Sequence, residues 1–211
     1  MDTITHTMTN LLNSYRTMEN VEIECRFGWK PKKEFVTDIG EKFYKSIMET
    51  MDTSSVCKKS TEDTDVYVNK TTRVITKGDT KEIIKVEQKK KIKFMDFALD
   101  GTPFDLRLSV CQEIKKPKKI NLQKYERIRN KLRTSYVYKM WSYDVTRVTR
   151  YEHDNIIDTV YECELELLLG ELSDEHTNEY LAESCSLKLN DIIQMSVGDF
   201  EKIHLKTCRL T

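Results

Sequence analysis

Between its two ends the chain alternates polar and apolar residues with a period of two. VEIECRF (21–27) and YECELEL (161–167) each place glutamates at alternate positions, with aliphatic or aromatic residues on the other face. FDLRLSVCQEIK (104–115), ERIRNKLRTSY (126–136) and KEIIKVEQKKKIKF (81–94) follow the same rule with mixed or cationic charges. Successive side chains of a strand point to opposite faces, so roughly eight such segments in succession predict a mainly antiparallel sheet with one charged face.

Three other segments carry apolar residues at helical spacing. They are residues 5–18, 37–51 and 173–189, and they flank or interrupt the strand-like region. The third segment opens with Ser173, which is its predicted N-cap, and its first turn is acidic. We expect these helices to cover the apolar face of the sheet.

The charges sort by sign from strand to strand, which favours a closed barrel over a flat sheet. For any one strand, a charged face in water is the ordinary interpretation. Across the chain, however, two strands are rich in carboxylates, and those around Arg73, Lys89 and Lys131 are mostly cationic. A barrel could point these charges inward and its apolar side outward, under the helices. Buried acids and bases need partners, so this arrangement requires a cation for the carboxylates and a polyanion for the lysines and arginines.

The predicted fold class is therefore mainly β with flanking helices, and the charge pattern leaves two forms of it open: a flat sheet with one wet face, or a closed barrel with its charges inside. The predicted organisation is a single domain, with an N-terminal helix in 1–19, the barrel in about 20–171, and a C-terminal helix and tail in 172–211. The tail KIHLKTCRLT (202–211) ends without a polar run-out, so we expect the chain to be excised from a larger multidomain polypeptide.

The composition indicates which partners and which cellular compartment to expect. The 211 residues include 35 Lys and Arg and 35 Asp and Glu, so there is no overall basic excess to predict nonspecific nucleic-acid binding. The six cysteines (25, 57, 111, 163, 185 and 208) show no CxxC and no zinc spacing, which favours free thiols in a reducing compartment. No signal peptide and no apolar run of membrane-spanning length is present. We expect a soluble intracellular protein.

The two glutamate strands together offer five carboxylate side chains, whose oxygens suit a hard divalent cation such as Mg²⁺ or Mn²⁺. The cationic strands suit phosphate, since arginine grips phosphate oxygens in pairs and lysine supplies a point charge. A metal and basic groups around a polyphosphate are the components of phosphoryl transfer.

VEIECRFG (21–28) and ECELEL (162–167) together resemble the ExExR…ExELE signature of the triphosphate tunnel metalloenzymes, the CYTH-like superfamily. RNKLRTSY (129–136) and YDVTRV (143–148) resemble the KxRxS and DxT strands of its RNA triphosphatase branch, found in fungal, protozoan and large-DNA-virus mRNA capping. The resemblance covers about residues 20–170. It implies a closed antiparallel eight-stranded β-barrel, the triphosphate tunnel fold, with the active site inside the tunnel. The implied activity is removal of the γ-phosphate from 5′-triphosphate RNA as the first step of capping, with side activity on nucleoside triphosphates.

The same resemblance implies a role for each matching residue. The implied ligands of Mg²⁺ or Mn²⁺ are Glu22, Glu24 and Glu166. The implied holders of metal-bound water or of the attacking water are Glu162, Glu164 and Glu113. The implied phosphate contacts and their braces are Arg73, Lys131, Arg133, Asp144 and Thr146, with Lys85, Lys89 and Arg107 as further basic residues. The implied supports of the first strand are Arg26 and Phe27.

One position departs from the family pattern. The fungal branch has an arginine two residues before the aspartate of its DxT strand, whereas this chain has Ser142. Either Arg147 or a lysine from another strand takes its place, or phosphate contact is thinner here.

The expected partners are 5′-triphosphate RNA, nucleoside triphosphates and a guanylyltransferase in the same or an associated chain, in the host cytoplasm if the chain is viral, with no membrane. The basic loop KPKKINLQK (116–124) is either a solvated turn or a rim that attracts the RNA backbone. Two alternatives stay open. One is a tripolyphosphatase, thiamine triphosphatase or class IV-type cyclase of the same fold, and the other is a noncatalytic module that binds RNA ends.

Overall fold

Eight antiparallel strands close into a barrel in the computed structural model of the chain, which describes residues 3–54, 56–80, 82–99, 102–119, 125–152 and 155–197. The strands are β1 (Val21–Gly28), β2 (Cys57–Tyr67), β3 (Thr72–Lys77), β4 (Glu82–Ala98), β5 (Asp105–Lys116), β6 (Arg127–Tyr138), β7 (Trp141–Glu152) and β8 (Asn155–Leu167). Around the barrel they follow the order β1-β5-β4-β3-β2-β6-β7-β8. The predicted eight-stranded antiparallel barrel is confirmed.

The seam between β1 and β8 brings the two glutamate motifs together. Glu24 lies opposite Glu166, and Arg26 lies opposite Glu164, in an antiparallel pairing that closes the barrel. Strand alternation then fixes the phase, because the intervening Cys25 and its neighbours on both strands point to the other face. The charged face is therefore the inside of the barrel.

Three helices cover the apolar outer face, as expected from their sequence periodicity. They are α1 (Thr3–Tyr15), α2 (Glu41–Asp52) and α3 (Asn178–Val197). The core consists of their buried side chains, including Met8, Ile47 and Leu189, packed with outward residues of the barrel such as Ile23 and Leu165. None of the helices in the described part of the chain is long and apolar enough to cross a membrane.

The predicted N-cap of the third helix is wrong. α3 begins at Asn178, five residues after Ser173. The Oγ1 of Thr177 accepts a hydrogen bond from the backbone N–H of Tyr180 at 3.2 Å, which is the geometry of an N-cap. Ser173 instead bonds to the His176 ring, at 2.9 Å from both its backbone N–H and its hydroxyl, in the turn that precedes the helix.

Five of the six cysteines lie in the described residues, and all five are free thiols. Cys25, Cys111, Cys163 and Cys185 are buried, and Cys57 is exposed. The prediction of free, mainly buried thiols is confirmed for these five. Cys208 and the rest of the tail lie outside the described residues.

Gly28, at the end of β1, allows the following chain to return close to the strand. A Cβ at this position would lie 2.2 Å from the Val36 carbonyl oxygen and 2.7 Å from the Phe35 ring. The backbone groups of Trp29 and Val36 hydrogen-bond to each other across this turn, so the clash cannot be relieved by moving a single side chain.

We expect Gly28→Ala to destabilise the fold, because a backbone atom blocks the added methyl group. Overpacking of this kind costs about 1–3 kcal/mol, which lowers the Tm of a chain this size by roughly 2–10 °C. The matched control is Gly170→Ala, where nothing lies within 4 Å of the added Cβ. Thermal unfolding of the two variants is the measurement, and equal Tm values would contradict the close approach at Gly28.

Candidate active site

Two cavities occupy the inside of the barrel and meet at Arg26, Arg73 and Lys89, which line both of them. We call the first the carboxylate chamber, with a volume of about 480 Å³. It is lined by Glu22, Arg26, Lys59, Thr61, Asp63, Arg73, Ile75, Ile84, Lys85, Lys89, Glu113, Lys131, Arg133, Ser135, Glu164 and Glu166. We call the second the basic mouth, with a volume of about 260 Å³. It is lined by Glu24, Arg26, Tyr67, Lys70, Thr71, Arg73, Lys89, Lys91, Lys93, Phe94, Arg107, Ser109, Cys111, Arg127 and Arg129.

The sequence-predicted metal ligands lie together at the β1–β8 seam. Glu22 and Glu24 are alternate residues of β1, and Glu24 is the direct cross-strand neighbour of Glu166. Glu22 accepts a hydrogen bond from the Lys89 ammonium at 2.6 Å. Glu24 is buried, and it accepts hydrogen bonds from Arg26 and from the Ser109 hydroxyl, each at 3.1 Å.

Glu166 differs from Glu22 and Glu24 because no salt bridge to it is found among the described residues. Burial and the nearby carboxylates of Glu22, Asp144 and Glu24 raise its pKa to about 8, against a smaller opposite effect of Arg133. A carboxyl group in this position favours the charged form only when a cation joins the group.

The donors at this seam fit a hard divalent cation by their chemistry. Glu22, Glu24 and Glu166 all offer oxygen ligands, and a cation would oppose the burial and the repulsion that together raise the pKa of Glu166. Within the described ranges, no three Asp, Glu, His or Cys side chains are already gathered in the arrangement of a metal site. Glu22 and Glu24 turn instead toward Lys89 and Arg26.

Next to this seam, Glu164 contacts two arginines, and it shares one of them, Arg133, with Asp144. The Nε of Arg26 lies 2.8 Å from Glu164, and an Nη of Arg133 lies 3.5 Å from the same carboxylate. The other Nη of Arg133 donates to Asp144 at 2.7 Å. Burial opposes the charge of Arg133, but Glu164 and Asp144 outweigh it and raise the pKa of the guanidinium. Arg26, predicted as a support of β1, contacts two of the predicted site carboxylates.

Arg73 is surrounded by three carboxylates from three strands. Its Nε donates to Glu87 at 2.6 Å, and its two Nη atoms donate to Asp65 and Glu113, each at 3.2 Å. Burial disfavours its charge, yet these carboxylates dominate and raise the pKa of the guanidinium. The predicted phosphate contact is thus in the tunnel, and it is held by acids in this structure.

Two lysines complete the cationic wall of the chamber. Lys131 is buried, and its Nζ lies 2.8 Å from Asp65. Burial lowers its pKa in spite of that partner, and the charges of Arg73 and Arg133 act in the same direction. Lys85 lies 2.6 Å from Glu87 and 3.5 Å from Glu113.

Glu162 lies apart from the other glutamates of its strand. Both of its carboxylate oxygens accept hydrogen bonds from Arg129 at 2.8 Å, and Thr37 donates to it at 2.9 Å. It does not line the carboxylate chamber. Opposite Glu162 on β7, the buried Oγ1 of Thr146 has no hydrogen-bond partner among the described residues, and its donor capacity is thus free for a bound group.

Arg107 faces the basic mouth rather than the chamber. Its Nε and one Nη donate to Asp96 at 2.7 and 3.0 Å, and its guanidinium lies between the rings of Phe35 and Phe94, 4.5 and 4.6 Å from their centroids. These contacts fix Arg107 as part of the wall. Its predicted phosphate contact would therefore be made at the mouth.

Arg147 is one of two predicted substitutes for the family arginine that Ser142 replaces, and this prediction is wrong. Arg147 lies one residue out of phase with Asp144 and Thr146 on β7, is exposed, and lies on the outer face opposite Tyr161. Ser142 itself is buried and donates to Asp144 at 2.6 Å. A lysine from another strand, Lys59 of β2, lines the chamber with Glu166.

The sequence prediction missed several charged residues of the tunnel, among them Asp65, Glu87 and Arg129. Asp65 joins Arg73 to Lys131, and it is fully buried. The signal was present, because Asp63 and Asp65 alternate along β2 in KSTEDTDVY with the same period as the glutamate strands. Only the pairing of β2 with both β3 and β6 shows which cations they meet.

Comparisons with known proteins identify a family and a shared fold. A sequence model of the family described as "mRNA capping enzyme, beta chain" matches residues 3–206. No match was found among curated protein sequences.

Solved structures share the fold. The Pct1 RNA triphosphatase of S. pombe aligns with a TM-score of 0.75 at 18% identity, over 97% of this chain and 94% of that chain. The same protein in complex with the Spt5 CTD gives a TM-score of 0.75 at 18% identity, over 95% and 94%. The RNA triphosphatase domain of a trifunctional mimivirus mRNA capping enzyme gives 0.58 at 15% identity, over 90% and 96%. At these identities the likeness shows the fold alone.

We expect Asp65→Asn to destabilise the protein at neutral pH by about 3 kcal/mol, because it leaves Arg73 and Lys131 buried without their shared counter-charge. These two cations outweigh burial and lower the pKa of Asp65. The stability from a lowered pKa is present above the unfolded value of about 4 and is lost as the pH falls through the folded value. The deficit of the variant should therefore shrink below about pH 4.

Denaturant unfolding of wild type and variant at several pH values measures this difference. The control is Asp63→Asn, since Asp63 lies on the same strand face and no salt bridge reaches it within the described residues. A deficit in Asp65→Asn that is the same at every pH would show that charge is not its cause.

Proposed function

Because the chain belongs to the mRNA capping enzyme beta chain family, a family of RNA triphosphatases, we propose that it is a divalent-metal-dependent RNA 5′-triphosphatase. Water attacks the γ-phosphorus of a 5′-triphosphate RNA end, the bond between that phosphorus and the bridging oxygen breaks, and inorganic phosphate leaves. The RNA keeps a diphosphate end. Nucleoside triphosphates carry the same anhydride bond and are the proposed side substrates.

The observation that carries this proposal is the pairing of opposite charges across the carboxylate chamber. Glu22, Glu24 and Glu166 would hold Mg²⁺ or Mn²⁺, which would supply positive charge against the oxygens of the γ-phosphate. The raised pKa of Glu166 supports this choice, because burial and the neighbouring carboxylates disfavour its charge, and an added cation would favour it.

The phosphate contacts are assigned to cations that line the chamber or its junction with the mouth. Each of these four cations, Arg133, Lys131, Arg73 and Lys89, is held by a carboxylate. Such partners orient the donors before substrate arrives, and positioning with charge stabilisation provides most of the catalysis of phosphoryl transfer. Thr146, the cross-strand neighbour of Arg133, offers a buried hydroxyl with no hydrogen-bond partner among the described residues.

The attacking water is assigned to the carboxylates that line the chamber, Glu113 and Glu164. Both touch an arginine and line the chamber, so each can accept a hydrogen bond from water near the phosphate. Glu162, tied to Arg129 and Thr37, is assigned to positioning Arg129. Asp144 keeps Arg133 oriented.

A diphosphate RNA end is the substrate of guanylyl transfer, so a guanylyltransferase in the same or an associated chain is the proposed partner. The proposed setting is an intracellular, reducing compartment, in keeping with the free thiols of the described residues.

We expect γ-³²P release from triphosphate-ended RNA with Mg²⁺ or Mn²⁺ and none with EDTA. Glu22→Ala, Glu164→Ala and Glu166→Ala should each lower the rate roughly 100-fold or more, as loss of a charge-stabilising group does elsewhere. Glu62→Ala is the matched control, because Glu62 is exposed on the outer face opposite Leu132. Near-normal rates in all three variants would contradict the site. Faster phosphate release from tripolyphosphate than from RNA would favour a different substrate class. No phosphate release from RNA with either metal would favour a noncatalytic binding module.

We also expect Glu166→Gln to show whether Glu166 binds the metal, because the variant should lose metal binding and keep the fold. A carboxyl group with a raised pKa is costly in its charged form at neutral pH, so the metal-free variant should unfold a few degrees above metal-free wild type. Mn²⁺ should raise the Tm of wild type and leave the Tm of the variant unchanged. The control is again Glu62, as Glu62→Gln. A full Mn²⁺ shift in Glu166→Gln would remove Glu166 from the ligand set.

A further inference from the structure

The two ends of the tunnel differ in the charge that they leave uncompensated. Carboxylates line the chamber throughout: Glu22, Asp63, Glu113, Glu164 and Glu166. Of the described residues that line the basic mouth, Glu24 is the only carboxylate, against nine lysines and arginines. An extended polyanion that follows the tunnel would therefore meet attraction at one end and a series of carboxylates at the other.

Four cations of the basic mouth have no carboxylate partner. Lys70, Lys91, Lys93 and Arg127 are exposed, and no salt bridge reaches any of them from the part of the chain that the structure describes. The deeper cations differ, since each is paired with an acid, as Lys89 is with Glu22. The free charge is thus concentrated at the rim, where a chain that projects from the tunnel would pass.

Aromatic rings lie among these free charges. Phe94 is 49% exposed, and the guanidinium of Arg107 lies 4.6 Å from its ring centroid. A shift of register in β4 between Lys91 and Lys93 places Phe94 opposite Ser109 of the tunnel wall, where strict alternation from Lys91 would place it outside. Arg127 stacks on Tyr67 at 4.1 Å on the facing side of the mouth.

Free cations beside an accessible aromatic ring are what single-stranded nucleic acids bind. Backbone phosphates contact the cations, and bases stack on the ring without regard to sequence. The chamber offers a different surface, lined by the exposed aliphatic Ile84, by Lys85, which is tied to Glu87 and Glu113, and by one exposed lysine, Lys59, that no salt bridge reaches among the described residues.

We infer that the RNA body occupies the basic mouth, so that the 5′ end enters the tunnel there and its γ-phosphate leads past Arg26, Arg73 and Lys89 into the carboxylate chamber. This inference rests on the proposed function for the identity of the triphosphate end. Lys91 and Lys93 contact backbone phosphates, and Phe94 stacks with one of the first bases.

The test separates the RNA body from its triphosphate. Fluorescence anisotropy measures binding, with Mg²⁺, of a short RNA that ends in a non-hydrolysable β,γ-methylene triphosphate, and competition measures binding of the matching nucleotide analogue. Lys91→Ala/Lys93→Ala should weaken RNA binding and reduce the slope of log affinity against log salt by about 1.4, which is two single-strand phosphate contacts. Its affinity for the nucleotide analogue should not change.

The matched control is Lys42→Ala/Lys90→Ala, which removes the same charge from two exposed lysines that line neither cavity. Lys90 is the immediate neighbour of Lys91 on the opposite face of β4. This control should bind RNA as wild type does, with the wild-type salt slope.

The stacking contact has its own pair of variants. Phe94→Leu should weaken RNA binding about tenfold, and Phe94→Trp should retain it, because any aromatic face supports stacking. Because Phe94 is half exposed, neither change removes core packing.

Several outcomes would overturn the inference. One is that wild type binds RNA no more tightly than the nucleotide analogue. A second is that Lys91→Ala/Lys93→Ala loses affinity equally for both ligands. A third is that Lys59→Ala, in the chamber, loses RNA affinity while the mouth variants keep it. The proposed function fails separately, by absence of metal-dependent γ-phosphate release in wild type, and the binding measurements do not depend on hydrolysis.

Discussion

Compensation of charge inside a closed barrel is the constraint on which this structure depends. Isolated carboxylates and guanidinium groups cannot be buried without a large desolvation cost, and their attraction repays that cost only when the geometry is good. Here Arg73 joins β2, β4 and β5 through Asp65, Glu87 and Glu113. Arg133 and Arg26 join the walls on the other side through Glu164. The contacts that orient the candidate catalytic groups are therefore the contacts that make the interior stable.

How much of this could be predicted from the sequence depends on whether a feature is local. The inward phase of Glu22, Glu24, Glu164 and Glu166 follows from alternation within each strand, and the structure has that phase. The same rule places Arg147 on the outer face, which excludes it as a substitute for the family arginine that Ser142 replaces.

The features that could not be predicted depend on which strands are neighbours. Asp65 is buried because β3 pairs with one side of β2 and β6 with the other, an order that no periodicity encodes. The displacement of Phe94 into the mouth depends on a register shift in β4, whose sequence continues to alternate locally. At the start of α3, Thr177 caps the helix in place of the predicted Ser173, which is bonded to the His176 ring in the preceding turn.

The balance of charge in the chamber bears on how the proposed metal and the proposed substrate would affect each other. Five carboxylates and seven lysines and arginines line the chamber, and the buried carboxylates of Asp65, Glu87 and Asp144 contact the same cations, so the chamber is close to neutral. Under the proposed function, a triphosphate would add several negative charges to this nearly balanced set, and a divalent cation beside Glu166 would offset part of them. Lys89 and Arg26 hold Glu22 and Glu24 in this structure, so they would compete with that cation. Phosphate that drew Lys89 and Arg26 toward itself would leave those glutamates available to the cation. Each ligand would then strengthen the binding of the other by the same factor, because binding free energies are linked in both directions.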